Sequence, residues 1–178
     1  MKKIALITGA TSGLGRAIAL RLSKEGYDVI VTGRRQDRLE ELEKEIEIEY
    51  GTRVYSLCFD VRSFQEVEAA VNSLPQEWKN IDVLVNNAGL AVGLDPIHEG
   101  VVDDWERMID TNVKGLLYVT RVVSPGMVSR KSGHIINIGS IAGKGVYPNG
   151  GVYCATKYAV NALSQGMRID FLPYNIKV

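Results

Sequence analysis

From Ile4 onward the sequence alternates short apolar runs with stretches of helical periodicity, and that alternation leaves few architectures open. Ile4 to Thr8 is a continuous apolar run, as expected of a strand buried on both faces of a parallel sheet. Gly9 to Gly15 is a glycine-rich turn, after which Leu14, Ala17, Ile18 and Leu22 fall at helical spacing until Gly26. Val29 to Val31 predicts a second strand, stopped by Gly33. Arg38 to Tyr50 predicts an amphipathic helix with Leu39, Leu42 and Ile46 on one face and Glu40, Glu41, Glu43 and Lys44 on the solvated side. Val54 to Phe59 predicts a third strand. Ser63-Phe64-Gln65-Glu66 has capping-box spacing and opens a helix that Pro75 closes. Ile81 to Val85 predicts a fourth strand, followed by a loop with Gly89, Gly93 and Pro96 and a long helical region from Val101 to Arg130. His134 to Ile138 predicts strand five, Val152 to Leu172 a helix, and Ile176-Lys177-Val178 the first residues of strand six. Parallel strands joined by helices need right-handed crossovers, which put helices on both faces of the sheet. The expected fold class is α/β, a doubly wound parallel sheet, in a single domain over residues 1–178. No internal repeat, linker or low-complexity segment interrupts it.

Composition excludes several function classes. Lys+Arg and Asp+Glu are both 21, so the formal net charge is zero and no global field draws nucleic acid or an anionic membrane. Cys58 and Cys154 are too few for a disulfide scaffold and fit a reducing compartment. Met1-Lys2-Lys3 precedes only four apolar residues, too short for a signal peptide's core. No apolar run approaches the roughly 18 residues that cross a bilayer. A cytoplasmic protein is expected, with no nucleic-acid or membrane partner. His98 and His134 lack metal-ligand spacing, so no metal site is expected. Trp78 and Trp105 are read as packing residues.

The turn Thr8-Gly9-Ala10-Thr11-Ser12-Gly13-Leu14-Gly15 lies between a strand and a helix, where a dinucleotide pyrophosphate binds in a Rossmann-type fold. Glycines let the backbone turn sharply and approach phosphates, and the helix N-terminus offers free N–H donors and a favourable dipole. Gly9, Thr11, Ser12, Gly13, Leu14 and Gly15 are therefore candidate cofactor residues. The spacing is G-x-x-x-G-x-G, and such a turn can also serve only to close a strand–helix connection. At the end of strand two the chain reads Thr32-Gly33-Arg34-Arg35, with no carboxylate for ribose hydroxyls; Asp28 lies at the opposite end. Two guanidiniums suit a 2′-phosphate through forked, charge-assisted hydrogen bonds. The expected cofactor is NADP(H).

Tyr153 and Lys157 are four apart, hence on one face of a helix. Ser140 falls just past strand five, at the carboxyl edge where ligands of open α/β sheets bind. A carbonyl accepting hydride develops negative charge on oxygen and must receive a proton. A phenol of ordinary pKa about 10 is a poor acid–base near neutrality, and a neighbouring ammonium favours its phenolate. Ser140 can donate a hydrogen bond to the developing oxyanion. Ser140 and Tyr153 are thus candidate catalytic and substrate-binding residues, with Lys157 catalytic. The loop from Ile141 to Val152 is expected to form one wall of the substrate site.

Thr8 to Gly15, Asp60-Val61, Asn86-Asn87-Ala88-Gly89, Asn112, Ser140 and Tyr153/Lys157 resemble the ordered motif set of the short-chain dehydrogenase/reductase family, over essentially the whole chain. The resemblance implies that Asp60 and Val61 contact adenine and that Asn87, Ala88 and Gly89 line the cofactor and steady the central strand. It implies that Asn112, a fourth catalytic residue, holds the long helix open for a water that relays protons to Lys157. Lys157 would also bind the nicotinamide ribose. A closer resemblance, through Leu74 to Asp82, Leu94-Asp95-Pro96, Asp104-Trp105-Glu106 and Gly133 to Gly143, is to bacterial NADP-dependent 3-hydroxy acid (serine) dehydrogenases. It implies small substrates such as serine, allo-threonine, 3-hydroxyisobutyrate or malonic semialdehyde. Helices around Val113 to Val123 and at Ala159, Leu163 and Met167 form an oligomer bundle in the family, which implies a homo-oligomer, a tetramer. Family members continue past the equivalent of Val178, so by this resemblance C-terminal strands are missing and the chain is part of a longer enzyme. A reductase for another carbonyl, such as a 3-oxoacyl thioester or a sugar, remains open, as do a non-catalytic NADP(H)-binding module and an inactive subunit.

Overall fold

The computed structural model describes residues 2–178; Met1, which opens the N-terminal stretch read above, lies outside them. Six strands, β1 (Ile4–Ile7), β2 (Asp28–Gly33), β3 (Val54–Cys58), β4 (Ile81–Asn86), β5 (Gly133–Asn137) and β6 (Ile176–Lys177), form one parallel sheet in the order β3-β2-β1-β4-β5-β6. The helices are α1 (Gly13–Lys24), α2 (Gln36–Tyr50), α3 (Phe64–Asn72), α4 (Val102–Ile109), α5 (Leu116–Arg130) and α6 (Gly151–Phe171). The fold is a Rossmann-type doubly wound sheet.

The apolar runs become central strands because both of their faces are covered. Alternate side chains point to opposite faces. Leu6, Ile30 and Leu84 meet Val67 and Val71 of α3 and Val119, Val123 and Met127 of α5. Ala5, Ile7, Val29, Val31, Val83 and Val85 face Ala19 of α1 and Leu39, Leu42 and Ile46 of α2. Each buried valine, leucine, isoleucine or methionine among them contributes about 1.5–3 kcal/mol of transfer free energy, which outweighs the weak intrinsic preference of any short run. Strand order reverses between β1 and β4, and open sheets of this kind bind ligands in the crevice beyond the strand ends at that point.

Several details differ from the sequence expectation. The buried face of α1 is Gly15, Ala19 and Ser23, whereas Leu14 is 66% exposed and Ala17 is exposed. Small residues let α1 approach the sheet closely, and the bulkier Ile18 and Leu22 sit half-buried at the margins. Ser63 caps α3, its hydroxyl accepting from Glu66 N–H at 3.3 Å, but Glu66 reaches back to Asp60 N–H at 3.0 Å, so the box closes one turn upstream. Glu43 is half-buried and accepts a hydrogen bond from Ser56. The long helical region is continuous but changes hand-hold in the middle: residues Asp110–Gly115 are π-helical between α4 and α5. Among the described residues, no helix is long and apolar enough to cross a membrane.

Candidate active site

The glycine turn is cross-braced by three strands. Thr8, 2% exposed, donates to Val85 O at 3.3 Å and accepts from Asn87 and Ala88 N–H at 3.0 and 2.9 Å. Asn87 Nδ2 donates in turn to Thr8 O at 2.8 Å and Gly9 O at 3.3 Å, and Ala10 N–H donates to Thr32 O. Gly9 and Gly13 take φ of +67° and +55°, the left-handed region that favours glycine. A Cβ at Gly15 would run into Gly9 O and Asn87 Nδ2, so only glycine lets α1 begin here. Ser12, at the N-cap of α1, makes no side-chain capping bond, which leaves the first-turn N–H groups open to an incoming anion.

Both arginines after β2 reach this end of the cleft. Arg35 Nη2 donates to Thr11 Oγ1 at 2.6 Å and Ser12 Oγ at 3.1 Å. Arg34 Nη1 lies 3.6 Å from Asp60 Oδ2. Asp60, two residues after β3, places a carboxylate beside Arg34, and Arg62 grips it through Nε at 2.9 Å and Nη2 at 2.7 Å. Burial pushes the Asp60 carboxyl up, but the hydrogen bonds and charge of Arg62, helped by Arg34, outweigh that and hold it below the usual carboxylate range.

At the other end, Ser140 follows β5, and its hydroxyl oxygen accepts from Ala142 N–H at 3.1 Å. The short 3-10 turn Ile141–Gly143 is pinned on α6: a Cβ at Gly143 would run into Lys157 O at 2.7 Å. The close approach fixes Ser140 relative to Tyr153 and Lys157 on α6. Lys157 is 8% exposed, its Nζ donates to Ile138 O at 2.9 Å and stands 6.0 Å from the centre of the Tyr153 ring, and burial pushes its pKa down. Asn112, in the π-helical segment, clamps three elements. Its Oδ1 accepts from Leu90 N–H at 2.8 Å, and its Nδ2 donates to Leu90 O at 2.8 Å and to Thr156 Oγ1 at 3.0 Å. Thr156 passes the link on by donating to Tyr153 O at 2.7 Å. A Cβ at Gly89 would lie 3.2 Å from Asn112 Oδ1 and 3.7 Å from Lys157 Nζ, so a glycine separates those two groups.

One cleft of about 770 Å³ joins both ends. Gly9, Thr11, Ser12, Gly13, Leu14, Arg34, Arg35, Asp60, Val61, Asn87, Ala88, Gly89, Ser140, Tyr153 and Lys157 all line it. Gly15 and Asn112 lie behind the wall; Gly15 is packed under the turn, and Asn112 has no hydrogen bond to Lys157. Ile141 to Val152, expected as a wall of the substrate site, are not among the residues that line this cleft; Asn149 and Val152 line a neighbouring pocket of about 10 Å³ that Tyr153 also lines, with Asp95, Asp104 and the half-buried Trp105. Thr8 was read only as the first residue of the glycine-rich turn, and Thr156, Arg62 and the Ile138 carbonyl were not singled out from the sequence. Only Arg62 carried a signal, a cation two residues after Asp60 in a turn.

A model of the short chain dehydrogenase family matches residues 3–178. The chain belongs to that family. The chain is 52% identical over 175 residues to the "NADP-dependent 3-hydroxy acid dehydrogenase YdfG" of Shigella flexneri, a match covering 98% of the chain and 69% of that protein. It is 54% identical over 167 residues to the protein of the same description from Escherichia coli (strain K12), covering 94% of the chain and 66% of the relative. The chain thus spans about two thirds of the length of these relatives. Among solved structures, "The Closed form of serine dehydrogenase complexed with NADP+" is 52% identical with a TM-score of 0.93, covering 98% of this chain and 69% of that one.

Proposed function

We propose that this chain is an NADP-dependent oxidoreductase that transfers hydride between the nicotinamide and a small 3-hydroxy acid or its 3-oxo form, in the class of serine, allo-threonine, 3-hydroxyisobutyrate and malonic semialdehyde. The observation that carries it is the single cleft, with a phosphate-accepting turn and two arginines at one end and Ser140, Tyr153 and Lys157 at the other. Its volume lies in the range of ordinary cofactor sites. The residues fit the group: open first-turn N–H donors, left-handed glycines at the pyrophosphate position, and guanidiniums where a 2′-phosphate falls. The relatives' names support both NADP and the substrate class.

In this reading Asp60 and Val61 hold adenine, Arg34, Arg35, Thr11 and Ser12 hold the 2′-phosphate end, and Gly9 to Gly15 cradle the pyrophosphate. Asn87 to Gly89 line the middle of the cleft, and Lys157 also reaches the ribose. Bound NADP+ accepts, and NADPH supplies, the hydride. Tyr153 gives or takes the proton at the substrate oxygen. The Lys157 ammonium stabilises the phenolate formed in that exchange. Ser140 accepts its internal hydrogen bond from Ala142, which leaves its own hydrogen for the developing oxyanion. Asn112 acts from behind by fixing Leu90 and Thr156.

Two further statements belong to the same proposal. A homo-oligomer, a tetramer by resemblance, is supported by exposed Ile109 and Leu117 along the long helix and Tyr158 and Ile169 on α6. A cytoplasmic setting is supported by the two free cysteines. The test is a substrate panel run with NADP+ and NAD+: serine, allo-threonine and 3-hydroxyisobutyrate against sugars, and malonic semialdehyde against 3-oxoacyl thioesters in reverse. The 3-hydroxy acids with NADP+ are expected to give kcat/KM values roughly tenfold or more above the rest, about one pocket's worth of discrimination. Faster reduction of a thioester would overturn the substrate class, and equal rates with NAD+ would overturn the cofactor.

A further inference from the structure

Asp60 is an anion on the wall of a site meant for a phosphate. It sits beside Arg34 and Arg35, and the three line the same end of the cleft. An unneutralised carboxylate there would repel a 2′-phosphate and compete with it for Arg34. Yet Arg34 is held only loosely, 3.6 Å from Asp60 Oδ2 with its side chain 62% exposed, in range for Coulomb attraction but beyond hydrogen-bond distance. The reason lies on the far side of the carboxylate. Arg62, which does not line the cleft, gives Asp60 three hydrogen bonds: its backbone N–H to Oδ1 at 3.0 Å, and Nε and Nη2 to Oδ2 at 2.9 and 2.7 Å. The Asp60 backbone N–H is anchored as well, on Glu66 of α3.

We propose that Arg62 is a positioning residue for cofactor choice: by holding the Asp60 carboxylate from outside the cleft, it leaves Arg34 free for the 2′-phosphate of NADP(H). Arg34, Asp60 and Arg62 together carry one net positive charge, and removing Arg62 brings that to zero. Arg34 is then the nearest cation to a carboxylate with open lone pairs and pairs with it tightly. The phosphate meets a neutral pair in place of a free guanidinium. Arg35 is tied separately to Thr11 and Ser12 and is left as it was, so the loss is partial. NADH has no 2′-phosphate and is indifferent to the change. A residue that only stiffened the loop after β3 would act on both cofactors alike through adenine.

This inference rests on the NADP reading above, and the experiment separates the two. NADPH, NADH, 2′,5′-ADP and 5′-AMP are titrated into the wild type and into Arg62→Gln, with binding followed by tryptophan fluorescence and thermal melting as the check on folding. Wild type is expected to bind NADPH more tightly than NADH; no preference there sinks the cofactor reading itself. Given that preference, Arg62→Gln is expected to weaken NADPH and 2′,5′-ADP about fivefold, the scale of one partly exposed charge interaction, and to leave NADH and 5′-AMP within about twofold. Adding Asp60→Asn to Arg62→Gln removes the competing carboxylate and returns most of the NADPH/NADH ratio. A parallel loss for both cofactors, no loss for either, or no recovery in the double variant overturns the role of Arg62.

Discussion

Lys157 occupies a place that disfavours its own charge. The side chain is 8% exposed, its one hydrogen-bond partner among the described residues is a neutral carbonyl, Ile138 O, and burial lowers its pKa from the ordinary 10.5. Below the lowered folded-state value, native and unfolded chains both hold the proton and the native state bears the full desolvation cost. Between that value and 10.5 only the unfolded chain keeps the proton, so stability rises with pH across that window. Comparison with Lys157→Met isolates the effect, because the other groups titrate in both proteins. The melting temperature of the wild type relative to the variant is expected to climb as pH rises from neutral toward 10.5; a difference that stays flat or shrinks contradicts the account. The Tyr153–Lys157 pair stood out through its context, after Ser140 and the glycine-rich turn, since tyrosine and lysine four apart also occur by chance. The Ile138 carbonyl that receives Nζ did not, since every residue has a carbonyl and sequence does not say which one a fold turns inward. Leu14, at helical spacing with Ala17, Ile18 and Leu22 but also in the glycine-rich turn, belongs to the cleft, because the first turn of α1 lines it.

Elements meet at the site through backbone contacts that small residues permit, and these decide more than the named catalytic groups reveal. Gly15 seats α1 under the turn, and Gly143 seats the Ser140 loop on α6. The π-helical segment is tied to α6 by one hydroxyl, Thr156, between Asn112 Nδ2 and Tyr153 O. Thr156→Val keeps the shape and removes that link, leaving a buried Nδ2 hydrogen unpaired at a cost of about 1–3 kcal/mol. Turnover is expected to fall about tenfold while the Kd for NADPH holds, and Thr156→Ser is expected to restore both turnover and its pH profile. Thr156→Val with wild-type kcat would show that the link is idle. The helical register of Val101 to Arg130 was visible in the sequence, but its π-helical middle was not, because one inserted residue shifts the periodicity by less than the scatter of apolar positions. Asn112 was found only through resemblance, since a polar residue inside a helix has no signature of its own.

For the molecule as a whole, alternation of apolar runs with helical periodicity was enough to give a parallel α/β sheet, because continuous runs such as Ile4 to Ile7 can be buried only between two helical layers. Strand order is a matter of connection, and local pattern does not encode it; the order β3-β2-β1-β4-β5-β6 came from the structure. That order opens the crevice between β1 and β4, and the crevice brings the residues after β1, β2, β3, β4 and β5 into one cleft. In the proposed mechanism this cleft performs proton-coupled hydride transfer through Tyr153. Its most direct test is the rate of NADPH formation from NADP+ and a 3-hydroxy acid by the wild type and Tyr153→Phe, with the Kd for NADPH measured on both. A loss of about a hundredfold to ten-thousandfold in kcat is expected, the usual range for a general acid–base, at a Kd unchanged within about twofold. Equal rates for the two proteins would contradict it.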